Sequence, residues 1–202
     1  MNNPKNEPIK TNVKLEKRKI RAEVKRKISQ LSPKYCKKAD QVIYNKVIRL
    51  LEYQQAKTIF CYVSTASEID TMPLLKHALG SGKILAVPKC IDKSMMEAYE
   101  IRSLEELQPG KYGILEPIST CSKVEPTEID LCIAPCLACT KEGVRLGFGG
   151  GYYDRYLKKT DAIKMALCRG ELLMEKIPIG RYDVKMDGVV TELEVKRVHN
   201  MR

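Results

Sequence analysis

A chain of 202 residues with 44% hydrophobic and 30% charged residues is long enough for one domain with a sizeable core. It holds no run of about 18 apolar residues, which excludes a membrane-spanning helix. Its opening, MNNPKNEPIK, lacks the apolar stretch of a secretory leader, so a cytoplasmic location is expected. The formal net charge is +11, and residues 1–49 hold all of that excess, with 15 Lys and Arg against 4 Asp and Glu. Such a basic segment suits a polyanion, whether nucleic acid or a smaller phosphate compound, or it is a solvated helix face.

Residues 1–12 are polar with two prolines and are expected to form a disordered tail. The rest, 13–202, is read as one domain. Val13, Leu15, Ile20, Val24, Ile28 and Leu31 recur at mostly helical spacing, which predicts a basic amphipathic helix. Ser32-Pro33 starts a second helix, with Ser as N-cap and Pro at the first helical position. It is expected to run to about Glu52, with Ala39, Val42, Ile43, Val47, Leu50 and Leu51 facing inward.

Further along, Thr58–Val63 reads as a strand. Thr71-Met72-Pro73 opens a helix that Gly80-Ser81-Gly82 ends. Lys83–Pro88, Met95–Ile101, Ile129–Ala134 and Ile163–Leu167 read as further strands, and Tyr152–Lys159 as a helix. Strands spaced by helices imply a single α/β domain of three layers, a mostly parallel sheet with helices on both faces.

The segment Arg145-Leu146-Gly147-Phe148-Gly149-Gly150-Gly151-Tyr152-Tyr153-Asp154-Arg155 is the most informative. Five of the 12 glycines fall within residues 143–151. A glycine-rich turn before a helix presents a row of backbone N–H groups to an anion. Neither the Walker pattern nor the dinucleotide fingerprint is present. Asp154 has two readings, a partner for the helix dipole and a ligand for Mg²⁺ beside phosphate; spacing alone favours the first.

The eight cysteines are scattered, several in apolar runs, and read as reduced core residues. Cys136 and Cys139 have the spacing of half a zinc site or of a redox pair. Zinc needs about four ligands, and no second pair follows at suitable spacing, so two packed thiols are expected. His77 and His199 sit in no recognisable catalytic setting.

The run RLGFGGGYYDRYL closely resembles the signature of the 5-formyltetrahydrofolate cyclo-ligase family. Lys17-Arg18-Lys19-Ile20-Arg21, Glu68-Ile69-Asp70-Thr71, Gly113-Ile114-Leu115-Glu116-Pro117 and Tyr182-Asp183-Val184 are similar to other parts of the family's pattern. The likeness spans about residues 13–192.

The resemblance implies conversion of 5-formyltetrahydrofolate to 5,10-methenyltetrahydrofolate, with ATP as co-substrate and Mg²⁺ as cofactor. It implies ATP contacts from Lys17, Arg21, Arg145, Leu146, Gly147, Phe148, Gly149, Gly150, Gly151, Tyr152 and Tyr153. It implies folate contacts from Val63, Glu68, Phe148 and Tyr152, and Mg²⁺ ligation by Asp154 and Asp183, which reverses the reading from spacing. The expected partners are these small molecules, with no specific nucleic acid, no membrane and a monomeric chain.

The chain departs from the family pattern at Cys136 and Cys139, where glycine and phenylalanine are usual, around Arg169–Leu172, and at Tyr182. A paralogue acting on another pterin or thiamine-like compound is the alternative these departures raise. A non-enzymatic RNA-binding module has only the basic N-terminus in its favour.

Overall fold

The computed structural model describes residues 8–198. Helix α1 covers Pro8–Gln30, so residues 8–12, expected in the tail, are helical; residues 1–7 and His199 lie outside the described residues. The inward stripe of α1 carries the buried Lys17 and Val24 and the half-buried Ile20 and Ile28, with Leu31 half-buried just past its end, and Leu15 is half exposed. A lysine therefore stands where the apolar stripe begins.

Helix α2, Pro33–Val47, starts as expected: the Ser32 hydroxyl accepts from the Tyr35 N–H, and Ala39, Ile43 and Val47 are buried. It ends five residues early. The chain turns extended at Leu50, and α3, Leu51–Gln55, begins in a new phase. Leu51 consequently faces solvent rather than the core. The restart buries Glu52, which the Arg197 guanidinium clamps at 2.6 and 3.1 Å.

Strand β1 (Thr58–Cys61) is followed by α4 (Met72–Gly80), β2 (Ile84–Cys90) and β3 (Met96–Ile101). Next come the short β4 (Leu107–Pro109), β5 (Leu115–Pro117) and β6 (Lys123–Val124), then β7 (Leu131–Ala134). A hairpin of β8 (Ala138–Cys139) and β9 (Arg145–Leu146) precedes α5 (Tyr152–Tyr156). The chain closes with β10 (Ile163–Leu167), β11 (Gly188–Val190) and β12 (Val195–Arg197).

Eight strands form one sheet in the order β12-β11-β10-β7-β1-β2-β3-β6. The middle five run parallel, and β12, β3 and β6 join antiparallel at the edges. The expected α/β domain is present, with a mixed sheet. Strands β1 and β7 are buried along their whole length, as central parallel strands covered on two faces must be.

The pleat divides the core. Ile59, Leu85, Leu131 and Ile133 pack beneath α2, α3 and α4. Phe60, Ala86, Cys132 and Ala166 face Tyr156 and Leu157 of the α5 segment. Helix α1 covers neither face. It packs on the β8–β9 hairpin through Val24, with Leu137, Leu146 and Ile177 in the same cluster. That placement carries Lys17 and Arg21 to the carboxyl ends of the parallel strands, where α/β sheets hold ligands.

Candidate active site

The glycine loop between β9 and α5 sits at this end. Gly149 has φ +108°, and a side chain there would meet the Arg21 guanidinium at 3.5 Å. The Arg21 Nε donates to the Gly147 carbonyl at 2.8 Å. Burial pulls the Arg21 guanidinium below its ordinary value, against Asp183 and Asp154, which raise it. Gly147 likewise leaves room for Arg145, whose Nη1 would lie 3.0 Å from an added methyl.

Arg145 is buried and points inward from β9. It donates to the Pro135 carbonyl and to Asp154 Oδ1, each at 3.1 Å. Its guanidinium lies over the Tyr153 ring, 5.4 Å from the centroid. Its Nε is buried with no acceptor among the described residues. Asp154 Oδ1 also accepts from the Val184 N–H at 3.2 Å. The carboxylate is therefore tied to an arginine and to the loop after Asp183, and α5 takes no side-chain cap. At five residues that helix is too short for its dipole to explain the aspartate.

Asp183 accepts from the Lys17 ammonium and from the Gly180 N–H at 2.7 Å. Lys17, Arg21, Arg145, Asp154 and Asp183, drawn from four separate segments, thus ring the loop. Leu146 is fully buried, and its carbonyl is taken by the Leu137 N–H at 2.8 Å. Its side chain is core. Phe148 is half exposed at the loop tip. The Tyr152 hydroxyl donates to the Asp92 carbonyl at 2.9 Å, and Arg155 donates to the Gly150 carbonyl at 2.6 Å, so the loop is fastened on two sides.

A second group follows β1. The Val63 side chain belongs to the core, so only its backbone is available to a ligand. Glu68 Oε2 accepts from the Thr65 N–H and hydroxyl, each at 2.8 Å. Burial raises the Glu68 carboxyl above its ordinary value of 4.5, against those two bonds. Tyr153 lies between the two groups: burial pushes its phenol well up, and the charges of Glu68 and Arg145 both reach it.

The raised Glu68 carboxyl gives a stability prediction with a definite sign. The native state holds this proton more tightly than the unfolded chain. The stability it contributes is present below about pH 4.5 and is lost as pH rises through the raised native value. Glu68→Gln keeps an oxygen acceptor for Thr65 and removes the ionisation. The melting temperature of Glu68→Gln should match the parent near pH 4 and exceed it near pH 7. An equal difference at both values would remove burial as the cause.

Two features of the site were not anticipated. Arg169, noted in the sequence only as a departure, is buried and forks onto Asp40 of α2 at 2.8 and 2.9 Å. The same guanidinium donates to the carbonyls of Ser67 at 3.3 Å and Glu68 at 2.8 Å, so it fixes the Glu68 segment against α2. The other is a third thiol. Cys136 and Cys139 pack together as expected, but the sulfur of Cys168 joins them, all three within 4.8 Å of one another. Thiol hydrogen bonds from Cys139 and Cys168, then the charge of Arg145, hold Cys136 well below the ordinary thiol range against its burial.

A cleft at the opposite end of the strands is lined by Glu52, Asp130 and Asp161. Asp130 is occupied there by the N–H groups of Lys57 and Thr58, both at 2.8 Å, which is a structural role. His77 is likewise structural, bonded to the Tyr53 hydroxyl at 2.8 Å.

Fold and site together define an α/β protein whose arginine-ringed glycine loop lies at the carboxyl ends of a mixed sheet. The family model described as "5-formyltetrahydrofolate cyclo-ligase family" matches residues 13–192. The chain belongs to this family of enzymes. A probable 5-formyltetrahydrofolate cyclo-ligase of Schizosaccharomyces pombe is 30% identical, covering 91% of this chain and 98% of the relative. The mouse 5-formyltetrahydrofolate cyclo-ligase is 30% identical over 87% of this chain and 93% of its own. The 5,10-methenyltetrahydrofolate synthetase structure from Aquifex aeolicus superposes with a TM-score of 0.83 at 31% identity, covering 92% and 94% of the two chains. Among the described residues no helix is long and apolar enough to cross a membrane.

Proposed function

We propose that this chain converts 5-formyltetrahydrofolate to 5,10-methenyltetrahydrofolate, using ATP with Mg²⁺ and releasing ADP and phosphate. The observation that carries the reading is the convergence of Lys17, Arg21 and Arg145 on the glycine loop, with Asp154 and Asp183 among them. Three cations from distant segments suit a triphosphate, and the two carboxylates suit Mg²⁺, which prefers one or two carboxylates with phosphate oxygens.

The chemistry asks for positioning and charge neutralisation rather than a protein nucleophile. The formyl oxygen takes the γ-phosphoryl group and ADP leaves. N10 of the folate adds to the activated carbon and loses its proton. The carbon–oxygen bond breaks, phosphate departs with the former formyl oxygen, and the methenyl bridge joins N5 and N10.

Lys17, Arg21 and Arg145 hold the phosphates, and the buried Arg145 Nε gains an acceptor from them. Tyr153 stacks with the Arg145 guanidinium and feels the charge of Glu68, which supports a reading with the transferred phosphoryl near the Glu68 segment. Asp154 and Asp183 hold the Mg²⁺, which when bound offsets charge across the phosphate oxygens. Phe148 and Tyr152 border the folate, and Arg169 keeps Glu68 in place.

The test mixes purified protein with 5-formyltetrahydrofolate, ATP and Mg²⁺ and follows near-ultraviolet absorbance of the methenyl product. An ATP-dependent rise is expected. No rise from a protein that still binds ATP would move the substrate to another pterin.

A further inference from the structure

The Cys136, Cys139 and Cys168 cluster has no part in the reaction above. Cys136 follows the end of β7, Cys139 lies in β8, and Cys168 follows the end of β10. Adjacent pairing of β7 with β10 brings the distant cysteine to the Cys-x-x-Cys pair. Cys139 and Cys168 are almost completely buried, and Cys136 is half-buried. We propose that Cys136, Cys139 and Cys168 bind one thiophilic divalent cation, zinc, as a three-thiolate site.

Four properties support this site. The first is separation. Zinc–sulfur bonds of about 2.3 Å place coordinating sulfurs roughly 4 Å apart, and these three already lie within 4.8 Å of one another. Small side-chain rotations suffice. The second is the frame. Cys139 pairs with Arg145 across the hairpin, and its carbonyl accepts from the Met174 N–H at 2.9 Å. The Cys168 N–H donates to the Val190 carbonyl at 3.0 Å. Ligands on paired backbone hold their geometry.

The third is charge. Three thiolates and a divalent cation leave one negative charge, and Arg145, the cross-strand partner of Cys139, offsets it. A buried ion group needs such a partner. The fourth is the open side. Cys136 is the half-buried member, so water can complete the coordination, as in zinc sites with three protein ligands. Binding displaces the thiol protons to solvent. Because Cys139 is the partner of Arg145, an occupied site braces the hairpin that carries this arginine.

The test titrates reduced, metal-free, full-length protein with Co²⁺ without oxygen, then with Zn²⁺. One equivalent of Co²⁺ should give a thiolate-to-cobalt charge-transfer band, and one equivalent of Zn²⁺ should remove it. Cys136→Ser and Cys168→Ser should each weaken binding by at least about 100-fold, and Cys36→Ser should not. Cys136→Ser, at a half-buried position, keeps the test valid if Cys168→Ser fails to fold. A missing band at excess cobalt would overturn the site, as would a band unchanged in both cluster variants. So would protein isolated without reductant and found lighter by two hydrogens, with a disulfide within the trio.

Discussion

Arg145→Lys should lower kcat/KM for ATP by about 100-fold or more while the chain still folds. The guanidinium at this position performs three tasks at once. It donates to the Pro135 carbonyl and to Asp154, each at 3.1 Å, and it lies over the Tyr153 ring. A lysine keeps the charge but loses the planar fork, so it cannot hold both acceptors and still face a phosphate. The buried Nε, without an acceptor among the described residues, strengthens the case, because a bound phosphate can supply it an oxygen.

The cost to stability should be smaller, roughly 1–3 kcal/mol, the range for one lost hydrogen bond to a buried charge. Initial rates across an ATP series at saturating folate, beside a thermal melt, separate the two effects. A change in kcat/KM of less than about threefold would remove Arg145 from the nucleotide site.

Legibility in the sequence followed distance along the chain. The glycine loop, Arg145 and Asp154 could be read because they are contiguous, and the central strands because apolar runs such as TIFC and LCIA are continuous. The α2 start was written in Ser32-Pro33. Its early end was not, since nothing local forces the break at Leu50; burial of Tyr53 and of Glu52 against Arg197, 145 residues away, decides it. The hairpin of β8 and β9 has two residues per strand, too few to show any period.

Pairings across the fold were invisible for the same reason. Lys17 finds Asp183 at a separation of 166 residues, and Arg169 finds Asp40 at 129. The thiol cluster illustrates the limit best. Spacing alone shows a Cys-x-x-Cys with no second pair. The third sulfur arrives through the sheet, because β7 and β10 are neighbours only after folding. Leu146 and Val63 show the converse limit: both side chains turn into the core, so any part they play in the site falls to their backbones.

Asp183→Asn should separate triphosphate binding from Mg²⁺ binding. Two of the three cations are paired within the site: Lys17 with Asp183, and Arg145 with Asp154. A triphosphate must draw these cations away from their carboxylates, and the released carboxylates become available to Mg²⁺. Removing the charge of Asp183 frees Lys17 in advance. Binding of ATP with Mg²⁺ chelated should then stay level or tighten, by up to about tenfold for one charge relieved of competition. The gain in affinity and rate on adding Mg²⁺ should shrink by at least about tenfold, because one hard oxygen ligand is missing. Calorimetric ATP titrations with and without Mg²⁺, on the parent and on Asp183→Asn, measure both quantities. Weaker binding of metal-free ATP with an unaltered Mg²⁺ gain would mean that Asp183 orients Lys17 for the phosphates and does not hold the metal.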